Sequence, residues 1–137
     1  MKSKVQELAQ LAYECVKQVK DKANEMDKIN KKGKDFASKY LSYAKKLPSM
    51  IIYNGLLATV AFAKAKAKKE DAWEKLLEHL KEFLRREGMN QDNKDLIEFL
   101  SELEVQEYRF ITKRVLDFSL WLKRIAEGEI EDEGKGD

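Results

Sequence analysis

Seventeen consecutive residues, Leu47 to Ala63, carry no charge in a chain of 137 residues of which 38% are Asp, Glu, Lys or Arg. A run of this kind has to lie against other apolar surface or cross a membrane. It is shorter than the roughly 20 residues that a bilayer core requires. Pro48 stands near its start and Asn54-Gly55 at its centre. No membrane span is expected. The reading is a helix over residues 48–63, apolar on nearly all sides and surrounded by amphipathic partners, the central element of a bundle. Gly55 costs a helix about 1 kcal/mol relative to alanine, which points to close approach by a neighbouring helix or another molecule. Asn54, if buried, has to find hydrogen-bond partners.

The flanking sequence supplies partners for that helix. Val5, Leu8, Ala12, Cys15, Val16, Val19 and Ala23 recur at three- and four-residue steps, one stripe of a helix over residues 3–29. Asn30-Lys31-Lys32-Gly33 breaks it, with Gly33 suited to the left-handed conformation that ends helices. A second helix carries Phe36, Ala37, Tyr40, Leu41 and Ala44 toward Leu47 and stops at Pro48. Beyond the apolar run, Glu70 and Asp71 open a helix with Trp73, Leu76, Leu77, Leu80, Phe83 and Leu84 inward, closed by Gly88. Asn90 to Asn93 is a polar connector into a short helix with Leu96, Ile97, Leu100 and Leu103 inward. In the last helix Val105, Tyr108, Thr112, Val115, Ser119, Leu122 and Ile125 form one row, beside Ile111, Phe118 and Trp121, up to Gly128. Nothing reads as strand. The expected fold class is all-α, a single compact helical bundle of about five to seven helices over residues 1–127. Residues 128–137 are expected to be an acidic, disordered tail.

One Cys and one His leave few routes to catalysis. Nucleophile–base pairs and clustered metal sites need more such groups than this chain holds. The Glu-x-x-His motif of di-iron bundles is absent, because Leu76 stands three residues before His79. The six glycines are scattered and form no phosphate-binding loop. No enzymatic activity, metal or cofactor is expected. A lone Cys15 excludes an internal disulfide and is compatible with a reducing compartment. The N-terminal Met-Lys-Ser-Lys-Val-Gln-Glu lacks the apolar stretch of a secretory signal, so a cytoplasmic location is expected.

A formal net charge of +2 conceals a polar molecule. Residues 1–69 hold 16 lysines against 6 acidic residues, a net of +10, and residues 70–137 hold 11 basic against 19 acidic residues, a net of −8. All five arginines lie in the second half, among carboxylates at helical spacing. Such a distribution provides a face for a polyanion, or opposite ends through which copies associate in a row. The basic candidates are Lys45 and Lys46, then Lys64, Lys66, Lys68 and Lys69, and the group Lys28, Lys31, Lys32 and Lys34. Lysines at a helix end also oppose the negative end of its dipole, and that role alone would account for them. In one unbroken helix over the apolar run, Lys46 and Lys64 would stand roughly 27 Å apart, too far to share a phosphate but within reach of a long polyanion. Tyr40, Tyr43 and Tyr53 are either base-stacking residues or core residues with a wet hydroxyl.

Two blocks resemble a known family. Lys46-Leu-Pro-Ser-Met-Ile-Ile-Tyr-Asn-Gly-Leu-Leu-Ala-Thr-Val-Ala-Phe62, followed by Lys64 and Lys66, resembles the central signature of the small subunit of the Cmr complex, the type III-B CRISPR RNA-guided effector. Tyr108-Arg-Phe-Ile-Thr-Lys-Arg-Val-Leu-Asp-Phe-Ser-Leu-Trp-Leu-Lys-Arg-Ile-Ala126 is similar to that family's C-terminal helix. The resemblance implies a non-catalytic helical subunit acting in antiviral defence. Its partners would be copies of itself in a filament, other Cmr subunits including the guide-binding backbone subunit, and guide RNA paired with target RNA. By the same resemblance, Lys46, Asn54, Lys64 and Lys66, with Arg109, Lys113, Arg114, Lys123 and Arg124, are residues expected to touch RNA or a neighbouring subunit. Tyr53 stands where the family commonly has a polar residue, often glutamine, before Asn-Gly, a departure from the family's pattern at the position of an expected polar contact. The alternative is a helical adaptor that binds proteins and never meets nucleic acid.

Overall fold

The computed structural model describes residues 1–132. Among these, six helices appear in the order α1 (Lys4–Ile29), α2 (Gly33–Asn54), α3 (Leu56–Ala67), α4 (Asp71–Arg86), α5 (Leu96–Ser101) and α6 (Val105–Glu129), and no strand. Ser3 starts α1 with a reciprocal capping box, its hydroxyl accepting from the Gln6 N–H while the Gln6 side chain accepts from the Ser3 N–H. Leu8, Leu11, Ala12, Cys15, Val16, Val19 and Ala23 are buried on the inner stripe of α1. Val5, expected on that stripe, is 55% exposed, because the bundle does not extend to cover the first turn.

Side-chain pairings fix the helix directions. Lys20 on α1 pairs with Glu129 near the end of α6, and Leu8 and Leu11 line one cavity with Arg114 nearer its start, so α1 and α6 run parallel. On α2, Tyr40 bonds His79 of α4, which bonds Gln18 of α1. Lys22 lies over the Phe36 ring, so α2 returns antiparallel to α1. Phe83 of α4 stacks on Phe118 of α6 at 4.7 Å between centroids. Helices α1, α2, α4 and α6 thus enclose the core, with α3 packed on α4 and α5.

Several expectations are corrected. Pro48 does not end the second helix: it lies inside α2, buried beside Leu47 and Ile51. Their burial offsets the roughly 3 kcal/mol that an interior proline costs. The break comes at Gly55, where φ is +87°, so residues 48–63 are the last turns of α2 followed by α3 and not one rod. Gly55 is required by backbone conformation and not by close approach, since a Cβ there would meet nothing nearer than the Tyr108 hydroxyl at 3.7 Å. Gly33 shows the reverse. It opens α2, Lys31 takes the positive φ, and a Cβ on Gly33 would lie 1.9 Å from the Ala23 carbonyl oxygen. At the other terminus, α6 passes Gly128 to Glu129 and Ile130 is buried, because that side chain packs on the core between α1 and α2. The acidic tail expected from residue 128 therefore overlaps the helix, and its residues 133–137 lie outside the described residues.

Candidate nucleic-acid interface

The two blocks singled out in the sequence meet at the elbow between α2 and α3. The Leu57 N–H, released from helical bonding by the Gly55 break, donates to the Tyr108 hydroxyl at 2.9 Å. This bond fastens the start of α6 to the elbow and sets Arg109 beside it. Asn54 is the last residue of α2 and is exposed, so it needs no buried partner.

A second cluster organises the lysines. Tyr43 of α2 stacks on Trp73 of α4 at 4.6 Å, and Phe62 of α3 meets the same indole edge-on at 5.6 Å. The Tyr43 hydroxyl donates to the Glu70 carboxylate, leaving the first turn of α4 without a side-chain cap. Burial, then that carboxylate, push the Tyr43 hydroxyl up to about 12. Lys66 lies 5.5 Å from the centre of the Phe62 ring. Lys46 follows Tyr43 by three residues on α2, hence on the same face, and Lys68 and Lys69 lead directly into Glu70. Lys46 and the end of α3 are thus gathered around one aromatic stack, and the 27 Å spacing of an unbroken rod does not apply.

The candidate cations differ in what they touch. Lys45, Lys46, Lys68 and Lys69 are exposed and their ammonium groups have no hydrogen bond or ion pair among the described residues. The same holds for Arg109 and Lys113 on the exposed side of α6, and for the half-exposed Lys123. Lys64 is held by Asp95, the N-cap of α5, and the Lys64 ammonium keeps that carboxyl below its usual range. Arg114 is mostly buried and bonds Glu87 at 2.9 Å, tying α6 to the end of α4. Arg124 lies 5.0 Å from the Trp121 ring centre. Along α6, Arg109 and Arg124 are separated by about 22 Å, so the C-terminal cations do not form one patch.

The tyrosines sort in the same way. Tyr40 is fully buried and its hydroxyl bonds His79 Nδ1 at 2.6 Å, so it cannot stack on a base. Tyr43 has its face on Trp73, whereas Tyr53 is 83% exposed. His79 is 2% exposed, and burial, followed by the nearby Lys75, lowers it to about 3. Neutral, it is a structural link among α1, α2 and α4. Two features escaped sequence reasoning: the exposed Phe62 under Lys66, and the Tyr43–Trp73–Glu70 contact. Asn54-Gly55 was the signal for the elbow, since that dipeptide favours positive φ.

The family model described as "CRISPR-associated protein (Cas_Cmr5)" matches residues 4–129, and the chain belongs to the Cmr5 family. It is 33% identical over 132 residues to the CRISPR system Cmr subunit Cmr5 of Thermotoga maritima, covering 93% of this chain and 84% of that protein. Its structure is similar to the crystal structure of a CRISPR-associated Cmr5 family protein from Thermus thermophilus, with a TM-score of 0.71, 26% identity, and coverage of 95% of this chain and 100% of that one. The resemblance carried by the two sequence blocks is borne out at the level of the family, and so is the all-helical fold.

Proposed function

We propose that this Cmr5-family chain is a non-catalytic small subunit of a type III-B Cmr ribonucleoprotein in the cytoplasm. Copies of it stack in a filament beside the guide-binding backbone subunit and help to hold target RNA paired with guide RNA. The observation that carries this reading is the set of exposed ammonium groups on Lys45, Lys46, Lys68 and Lys69 without a partner among the described residues, with Lys46, Lys68 and Lys69 beside the Trp73 stack. Mobile point charges hold phosphates without reading bases, and base pairing supplies the sequence recognition in such assemblies. A second reading, the protein adaptor, draws on the exposed apolar side chains of Ile52, Tyr53 and Phe62. Affinity purification from the native cells separates the two. RNA of guide length together with backbone subunits is expected in the eluate, and recovery of protein partners alone, with no RNA, would favour the adaptor.

A further inference from the structure

The outer face of the second half of α2 is formed by Ser42, Lys45, Lys46, Ser49, Ile52 and Tyr53, all exposed. Tyr53 is open to solvent more than any other aromatic side chain among the described residues, and it has no hydrogen bond or ring contact there. Seven residues separate it from Lys46, an interval over which a straight helix drifts by only about 20°. The ring and the ammonium group therefore lie on one stripe, roughly 10 Å apart along the axis. Ser49, between them, is small and leaves the stripe uncovered. Ile52 lies about 100° further round the helix, so the tyrosine is a single ring among polar neighbours on its stripe and not part of a broad apolar patch.

Charge limits what such a stripe can receive. Residues 36–69 hold seven lysines and no carboxylate. Asp35, on the same side of α2, stands about 27 Å before Tyr53 and pairs with Lys39 at 3.3 Å. Glu70 is taken by the Tyr43 hydroxyl. At the elbow, α6 brings Glu104 one turn before Tyr108 and Arg109 directly after it, whereas Glu107 lines the groove beside Met89 and Phe110. The surroundings of the stripe thus favour a polyanion.

A lone exposed ring two turns from unpaired lysines is the arrangement by which proteins hold a single strand, with charges on the phosphates and an aromatic face under a base. A protein partner would instead be met by a contiguous apolar centre.

We propose that Tyr53 is the platform on which one unpaired base of an RNA strand stacks while Lys45 and Lys46 hold the neighbouring phosphates. The proposal rests on the reading that this limb holds RNA, and adds a contact to a base. Every base has a π-face, so the contact carries no sequence code. Bases inside a duplex are stacked on both sides, so only an unpaired nucleotide reaches the ring.

Binding of the purified full chain to an unstructured single-stranded RNA, and to a blunt RNA duplex, is measured by fluorescence anisotropy across a salt series. On the single strand, Tyr53→Ala should weaken binding about 10-fold and leave the slope of log affinity against log salt as in the parent, because a stacked ring releases no counterions. Tyr53→Phe keeps the ring and should bind as the parent does. On the duplex, Tyr53→Ala and the parent should bind alike. Tyr53 is exposed, so neither substitution opens the core. Three results would each overturn the proposal: parental affinity of Tyr53→Ala for the single strand, which would assign the ring to a protein partner; a loss in Tyr53→Phe equal to that in Tyr53→Ala; and an equal loss on the duplex. Lys45→Ala with Lys46→Ala should flatten the salt slope whatever Tyr53 does. Failure of the parent to bind either RNA, or an unchanged slope in that lysine variant, would overturn the reading that this limb holds RNA.

Discussion

The lysines of the α2–α3 limb and the carboxylate-paired arginines of α4 and α6 perform different work. On α4 and α6, Arg85 and Arg86 both bond Glu82, Arg86 also reaches Glu14 of α1, and Arg114 bonds Glu87. Arg85, first, and Arg86 hold the Glu82 carboxyl down to about 2. Planar guanidinium forks suit such fixed pairing. On the limb, every candidate cation is a lysine, and among the described residues only Lys64 is engaged by a carboxylate. The first group staples helices together, and the second is left for a partner. Net charge by itself would not have separated them.

The sharpest break in that comparison is expected at Arg114. Arg114→Ala leaves Glu87, 20% exposed, without its partner inside the bundle, and should cost about 3 kcal/mol in denaturant unfolding. Lys46→Ala should stay within about 0.5 kcal/mol in the same experiment. An equal loss in both would erase the distinction between staple and free charge.

Acid should expose the inward-facing side next. His79 is held neutral, at about 3 against 6.5 in the unfolded chain, by burial and then by Lys75. A group depressed on folding contributes stability that is complete above its unfolded value and is lost as pH falls toward the folded one. Between pH 7 and pH 5 the loss is about 2 kcal/mol. Comparing His79→Gln with the parent by thermal unfolding at both pH values isolates this from the carboxylates, and the variant should show the smaller acid loss. Identical losses would remove His79 from the account.

Lys64 offers the smallest effect. Its pair with Asp95 is half exposed, with side chains 50% and 41% accessible, so Lys64→Ala should cost less than about 1 kcal/mol. It should also leave the salt dependence of RNA binding nearly unchanged, because Asp95 already compensates that charge. A large change in salt dependence would place Lys64 among the free lysines.

How much of this was legible in the sequence depends on the kind of signal. Periodicity located the interiors of α1, α2, α4 and α6, because an apolar stripe is a local consequence of 3.6 residues per turn, whereas α3 was read only as part of an uncharged run. Boundaries depended on tertiary contacts. Pro48 reads as a stop, yet burial of its neighbours carries α2 through it, and Gly33 reads as a left-handed terminator although its role is to let α2 touch the Ala23 carbonyl. In the candidate site, the lysines were visible as composition. Which cations are spent inside the molecule was not, because Lys64 and Asp95 are 31 residues apart, and Arg114 and Glu87 are 27 apart. Sequence spacing carries no trace of such pairs.

The central claim is that the limb lysines are free to hold phosphates and that Arg85, Arg86 and Arg114, each held by a carboxylate, are not. Binding of the purified chain to single-stranded RNA, followed across a salt series, tests it for three proteins: the parent, Lys45→Ala/Lys46→Ala/Lys68→Ala/Lys69→Ala, and Arg85→Ala/Arg86→Ala. Each lost phosphate contact on a single strand flattens the slope of log affinity against log salt by about 0.7. The lysine variant should therefore be shallower by up to about 3, while the arginine variant keeps the parent's slope. A lysine variant with the parent's slope, or a larger loss in the arginine variant, would contradict the account.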